Sequence, residues 1–334
     1  MPTAIFGAFE SGIIYAIMAL GVYLSFRILD FPDLTVDGSF VTGAAVAAIL
    51  IVNGINPFIA TIASLLAGFI AGCITGLLHT KGKINPLLSG ILMMIALYSI
   101  NLRIMGRSNI PMLNETTVVT ILTDFWKSLG FDTGVVNVLR AIGYSGYIPK
   151  TWAIVIFMII ITFAIKLILD RFLQTEIGLA LRATGDNKNM IRSFSANTNA
   201  LTVVGLGLSN ALVAFSGAVI AQYNGFSDVG MGIGIIIIGL ASVIIGEAIF
   251  GTKSIMRTTF AVIGGAIIYR IVVSIALRVE FLEPGDLKLI TAVIVVCALI
   301  IPKIFESRKD KKRKKQRLQA FVNDHKQLAN KEVI

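Results

Sequence analysis

The sequence predicts an all-α polytopic membrane protein of about nine transmembrane helices, eight at fewest and ten at most, one of them short or broken. Three observations lead there. Of 334 residues, 56% are hydrophobic and only 14% charged, with a mean hydropathy of +0.84, far more apolar than a soluble domain needs. The apolar residues come in continuous runs of spanning length, about 20 residues at about 1.5 Å each across a hydrocarbon core of about 30 Å. A polar island at residues 175–199, TEIGLALRATGDNKNMIRSFSANTN, interrupts the runs with the character of a short, basic, amphipathic cytoplasmic helix. Lipid offers the backbone no hydrogen bonds, so the spans are helices; a barrel needs repeated period-two segments, and these runs are continuous.

The nine runs are Ile5 to Phe26, Gly38 to Val52, Pro57 to Leu78, Pro86 to Ile104, Trp152 to Leu169, Leu201 to Tyr223, Gly230 to Phe250, Thr258 to Leu277 and Lys288 to Ile304. Between the first two, RILDFPDLTVDGSF carries Asp30, Asp33 and Asp37 with Pro32. Three acids do not sit in lipid, so this is a turn or broken helix at the inner surface or inside the bundle, where Thr35, Asp37 or Ser39 caps a helix start. In the third run Gly68, Gly72 and Gly76 recur every four residues on one face, a close-packing pattern. The loop from Met105 to Lys150 is the only long outer segment, and Val118 to Leu129 within it reads as a short amphipathic helix bearing Trp126. Gly230, Gly232, Gly234, Gly239 and Gly246 crowd the seventh run; such density means either close packing or a helix that bends, because each glycine weakens a helix by about 1 kcal/mol relative to alanine.

Polar groups within spans are costly, and each is a functional candidate whose partner should be named. Ser209 and Asn210 lie mid-span, as an interhelical hydrogen bond or a cavity lining. Arg270 is expected to pair with an acid such as Glu10 or to face a water-filled cavity, Lys166 to snorkel, Glu247 to cap or to pair with Lys253 or Arg257, and Asn101 and Arg103 to be interfacial.

Charge placement sets the orientation. Arg308 to Arg317 holds eight basic residues and one acid, which puts the C-terminus in the cytoplasm. The turns Thr80 to Lys83 and Gly251 to Arg257 and the polar island then also lie inside, and Glu280 to Asp286 outside. The chain divides into a transmembrane domain, 1–306, and a basic cytoplasmic tail, 307–334, read as a topology signal or lipid contact rather than a nucleic-acid arm. Cys73 and Cys297 lie in apolar runs and His79 and His325 are isolated, so no disulfide or metal site is expected. The stretch GEAIFGTKS, Gly246 to Ser254, nearly matches a phosphate-binding loop, but Thr252 intervenes before the lysine and a membrane helix precedes it. No catalytic motif is present, and a membrane-embedded enzyme would need convergent acid, base or metal groups.

GLALRATGDNKNMIRSFSAN, ALVAFSGAVIAQYNGF and GLASVIIGEAIFG, between Gly178 and Gly251, resemble the permease subunits of bacterial ABC importers for branched-chain amino acids, ribose and related solutes. FPDLTVDGSF resembles an amino-acid-type branch, some of whose members are encoded beside a binding protein for aromatic amino acids. The resemblance implies a non-catalytic, multi-pass plasma-membrane subunit that forms the solute pathway as a homodimer. It implies two cytoplasmic ATPase subunits, which bind ATP and magnesium while this chain holds no cofactor, and an extracellular solute-binding protein. It places a coupling helix at Ala183 to Ser193, with Thr184, Gly185, Asp186 and Asn187 at its start: Gly185 allowing the turn, Asp186 or Asn187 capping, Lys188 and Arg192 offering charge to the ATPase. Asp37, Ser209, Asn210 and Arg270 are the pathway candidates. An ATP-independent secondary transporter or channel is the alternative, since it also uses broken helices and midplane polar groups.

Overall fold

The computed structural model describes residues 2–132, 149, 151–193 and 196–276, with isolated positions at 289, 292, 293, 296 and 300. The ninth expected span, the turn Glu280 to Asp286, the basic tail, Cys297 and His325 lie outside, or all but outside, these residues. Among the described residues, eight helices are long and apolar enough to cross a membrane.

The helices are α1 (Pro2–Tyr23, continued as a π-helical turn Leu24–Ile28), α2 (Thr35–Val52), α3 (Pro57–Thr80), α4 (Pro86–Met105), α5 (Val118–Ser128), α6 (Ala153–Gln174), α7 (Glu176–Asp186), α8 (Lys188–Ser193), α9 (Thr198–Asn224), α10 (Ile235–Phe250) and α11 (Ile255–Ala276). Short strands β1 (Asn109–Pro111) and β2 (Phe226–Asp228) pair antiparallel. A 3-10 turn, Val229–Gly232, leads into α10.

Local chemistry starts and stops the spans. Asn56 and Asn85 each precede a proline at the first helical position and accept a hydrogen bond from Phe58 N (2.9 Å) and Leu87 N (3.0 Å). Proline loses nothing there, because its missing N–H would have been an orphan. Thr117 caps α5 through a reciprocal pair with Thr120, and α5 packs on α6 through Phe125 and Trp126 against Phe157. This agrees with the amphipathic helix expected there.

Helices α1, α2 and α9 are the most buried, and α3, α4, α6, α10 and α11 surround them. Where α2 and α3 cross α9 the backbones approach directly, while large side chains such as Phe40, Met18 and Leu20 fill the core beside them. A Cβ on Gly43 of α2 would fall on the Ala214 carbonyl of α9, and one on Gly217 of α9 would fall on the Phe40 carbonyl of α2. Gly68, Gly72 and Gly76 bring α3 against Asn210, Leu206 and Val203 of the same α9, so the four-residue glycine repeat is a packing face. The outer faces of α3 and α4 keep large apolar side chains exposed, among them Ile59, Ile62, Leu66, Ile95 and Leu92, as lipid or a second subunit would require.

Several polar side chains have other partners than expected. Lys166 does not snorkel: it is buried and bonds Asp170 at 2.5 Å, while Thr259 of α11 donates to the other Asp170 oxygen at 2.7 Å. Asn101 is not interfacial; it is 1% exposed, accepts from Thr42 (2.8 Å) and donates to the Gly38 carbonyl (3.1 Å). Glu247 pairs with neither Lys253 nor Arg257 but with Arg27 at the end of α1, whose Nε reaches both carboxylate oxygens. Arg257 instead donates to the Phe250 carbonyl at the end of α10.

Candidate functional site

The polar island is two helices, not one. Thr175 caps α7 by accepting from Gly178 N at 3.2 Å, α7 runs through Asp186, and the chain breaks at Asn187. There Asn187 accepts from Met190 N at 3.0 Å and starts the short α8, a cap of the kind asparagine favours. The single helix expected over Ala183 to Ser193 is therefore corrected, and so is the reading of Gly185. That residue makes no turn; it sits inside α7 where a Cβ would strike the Ile28 carbonyl at the end of α1. Thr184 is buried and bonds back to the Ala180 carbonyl. Lys188 approaches His79 Nε2 at 3.5 Å; burial, and secondarily Arg192, pull its pKa below the usual lysine value. Arg192 Nε donates to Thr198 Oγ1 at 3.1 Å, tying α8 to the first residue of α9.

Beside this unit opens a cavity of about 470 Å³, lined by Tyr23, Arg27, Arg182, Asp186, Glu247, Lys253 and Ser254 among others. It joins the end of α1, the outer turn of α7 and the α10–α11 connection. Gly185 brings α7 against the end of α1, and Arg182 and Asp186 of α7 line the same cavity as the Arg27–Glu247 pair. Uncovered apolar side chains stand on the same unit: Ile177, Leu179 and Met190 are each half exposed or more.

The pathway candidates fall in three places. Ser209 and Asn210 are both fully buried between helices: Ser209 donates to the Gly21 carbonyl at 2.7 Å, and Asn210 Nδ2 donates to Asp33 Oδ2 at 2.6 Å. Asp33, which the sequence reading did not single out, also accepts from Thr35 N at 3.0 Å and so starts α2, while Thr35 and Thr75 share a 2.7 Å bond. Asp33 accepts from the backbone N–H two residues on, an Asx turn leading into α2. Arg270 does not pair with Glu10. It lies over the Tyr15 ring, 4.1 Å from the centroid, a cation–π contact, and Glu10 accepts from the Tyr223 hydroxyl at 2.9 Å.

Asp37 caps a helix start, but not its own. It reaches across to α10, accepting from Gly234 N (3.0 Å) with one oxygen and Ile236 N (2.8 Å) with the other. Gly234 precedes α10 at φ +86°, and a Cβ on Gly232 would strike the Asp37 carbonyl. The glycine-rich seventh run is thereby both close-packed and interrupted: a 3-10 turn leads to Asp37, and α10 starts there with its unpaired N–H groups met by a carboxylate.

The amino-acid sequence has its counterpart in known proteins. Residues 4–301 match the family described as branched-chain amino acid transport system, permease component. The chain belongs to this family. The permease is 41% identical to the tyrosine transport system permease protein of Clostridioides difficile (strain R20291), over 89% of this chain and 90% of that one. It is 35% identical to an uncharacterised protein of Rickettsia prowazekii (strain Madrid E), over 87% of this chain and 95% of the relative. A solved chain described as an inward-facing metal-chelate type ABC transporter aligns at TM-score 0.48 with 15% identity, covering 90% of the permease and 84% of that chain, a likeness too weak to carry an inference.

Removing Asp33 should unsettle this permease more than removing Asn210. Asp33→Ala orphans the Thr35 N–H and one of the two Asn210 amide hydrogens, the Leu206 carbonyl still accepting from Asn210 Nδ2 at 3.0 Å, at about 1–3 kcal/mol for each buried group left unpaired, whereas Asn210→Ala leaves Asp33 its Thr35 bond. Thermal unfolding of the purified protein in detergent is expected to show the larger drop for Asp33→Ala; equal drops would mean the Asn210 bond carries the network.

Proposed function

We propose that this permease is the membrane subunit of an ATP-driven importer for an amino acid or a similar small solute, coupled to a separate cytoplasmic ATPase through α7 and α8. The observation that carries the coupling is the island's construction. Two short helices are locked to the end of α1 at Gly185 and to α9 at Arg192, yet they present Met190, Ile177 and Leu179 to solvent. Large apolar side chains uncovered on a rigid polar element mark a protein contact. On this reading the island is on the cytoplasmic side, the N-terminus outside and the C-terminus inside. A 41% identical relative that bears the name of a tyrosine permease supports an amino acid as solute.

The chain itself performs no catalysis; ATP and magnesium stay with the two ATPase subunits. A second copy of this chain completes the pathway by two-fold closure, and an external binding protein delivers solute. ATP binding changes the permease only in so far as the closed ATPase favours one of its conformations. Gly185 and the cavity at Arg27, Arg182 and Glu247 are where a push on α7 reaches α1 and α10.

Tagged wild-type protein and Met190→Glu, purified from the native host in conditions that keep membrane complexes, test this. Wild type is expected to bring down an ATPase and the variant to lose it by about tenfold or more, with the same elution profile and unfolding temperature. The reading falls if wild type recovers no ATPase and transports solute in proteoliposomes without ATP, which is the behaviour of a secondary transporter.

A further inference from the structure

A second cavity, of about 400 Å³, lies away from the island. Its walls are Val41, Met94, Ile95, Val229 and Ile233, with the backbone of Gly38 and Gly232 and three polar groups: Asp37, Tyr98 and Asn101. The size suits a small solute, and apolar walls with a few convergent polar groups are the usual make-up of a solute site. Among the described residues, Asp37 is the only acid in the lining, and no lysine or arginine lines it. Nor does any base form an ion pair with Asp37 among the described residues.

The carboxylate is held but not used up. Each oxygen takes one N–H from the start of α10, and an ionised carboxylate oxygen accepts about two hydrogen bonds, so capacity remains. The helix start favours the anion without supplying a full counter-charge, about half an elementary charge at most. Beside it Gly38 packs on Leu97 and bonds Asn101, both in the second half of α4, which sets Asp37 at hydrocarbon depth. A half-buried carboxylate there, open to a cavity and without a cation, is costly against lipid and suited to a cationic visitor. Among the described residues no three His, Cys, Asp or Glu side chains group to hold a metal ion, and a single carboxylate among apolar walls matches an organic ammonium better than a divalent cation.

We propose that this cavity binds the ammonium group of an amine-bearing solute at Asp37, with its body against Met94, Ile95 and Tyr98. This deepens the importer reading, on which it rests, by naming the chemistry of the solute and where it pauses. Tyr98 and Ile233 of the lining are more than half exposed, so on the importer reading the cavity is reached past them. The acid that starts α10 is then also the group the solute meets, so occupancy bears on the helix whose other end pairs with Arg27.

The test reads charge at the cavity without transport. In full-length protein with Cys73→Ala and Cys297→Ala, single cysteines Tyr98→Cys and Ile233→Cys are labelled in membrane vesicles. The two reagents are trimethylammonium-ethyl and sulfonato-ethyl methanethiosulfonate, and each rate is divided by that reagent's rate with a free thiol in solution. The cationic reagent is expected to be favoured by about tenfold or more, the range in which a charged cleft concentrates a counter-ion. Adding Asp37→Asn should bring the ratio near unity, and Asp37→Glu should retain it. A ratio near one with Asp37 intact, or no labelling by either reagent, overturns the proposal without any variant at Asp37 having to fold. Neither result depends on ATPase recovery, so failure here and failure of the importer reading are separable.

Discussion

Asp170→Leu alone is expected to destabilise the permease by about 3–5 kcal/mol, and adding Lys166→Met to recover most of that loss. Lys166 and Asp170 lie one turn apart on α6 with side chains only 8% and 3% exposed, and Thr259 of α11 completes the carboxylate's bonding at 2.7 Å. Removing Asp170 leaves a buried ammonium without its counter-ion, which is where the cost of breaking a buried pair arises. Removing both charges leaves two apolar side chains of similar size in an apolar bundle, and such replacements are often neutral or better. Unfolding of the four proteins of this cycle in detergent, followed by far-UV circular dichroism, gives the coupling energy directly. If the double variant is as unstable as the sum of the singles, the pair does not interact and the α6–α11 contact rests on packing alone.

Gly43→Ala is expected to be the most damaging single-methyl change in the bundle. The new Cβ would lie on the Ala214 carbonyl of α9, and a backbone cannot rotate aside as a side chain can. Gly217 meets the Phe40 carbonyl in the reciprocal position, so α2 and α9 would have to separate along the whole crossing. Overpacking a core costs about 1–3 kcal/mol, occasionally more, and a backbone clash belongs at or above the top of that range. Gly7→Ala is the matched control, because a Cβ there first meets Tyr223 Oη at an ordinary 4.0 Å. Yield of monodisperse protein and its unfolding midpoint should fall sharply for Gly43→Ala and stay near wild type for Gly7→Ala. Equal behaviour would show that α2 and α9 are farther apart than described.

How much of this was legible beforehand varies with sequence separation. The spans, the asparagine–proline helix starts, the amphipathic α5 and the packing face at Gly68, Gly72 and Gly76 all follow from patterns within one element. The Lys166–Asp170 pair was legible too, since residues four apart on a helix face each other, but the proximity of Lys166 to a helix end favoured snorkelling instead. Asp33 was hidden by its neighbours: three acids in eight residues look alike, and only their partners tell them apart. Asp33 starts α2 and holds Asn210, 177 positions away. Asp37 starts α10, close to 200 positions away. Glu247 had two local bases within ten residues and chose Arg27, 220 positions distant.

The island shows the same division at shorter range. Its polarity and basic charge marked it as a helix outside the bilayer, and Asn187 was a fair capping candidate. Gly185 between a threonine and an aspartate resembles a turn, yet its purpose is to let the Ile28 carbonyl approach, and no local pattern contains Ile28.

The sequence by itself determined that this chain is a helical membrane protein, where most of its spans begin and end, and that the polar island stands outside them, of which residues 175–197 precede α9. Those properties depend on transfer to lipid and on hydrogen bonds within a few residues, so local composition suffices. Only the tertiary structure decided that Asp37 caps α10 beside a cavity, that Arg27 rather than Lys253 holds Glu247, and that the island touches α1 at Gly185. In an apolar surrounding an unpartnered charge or N–H costs several kcal/mol, so Asp33, Asp37 and Glu247 bond to what the packed helices bring within about 3 Å. Which group that is depends on how the glycine faces set the helices against one another.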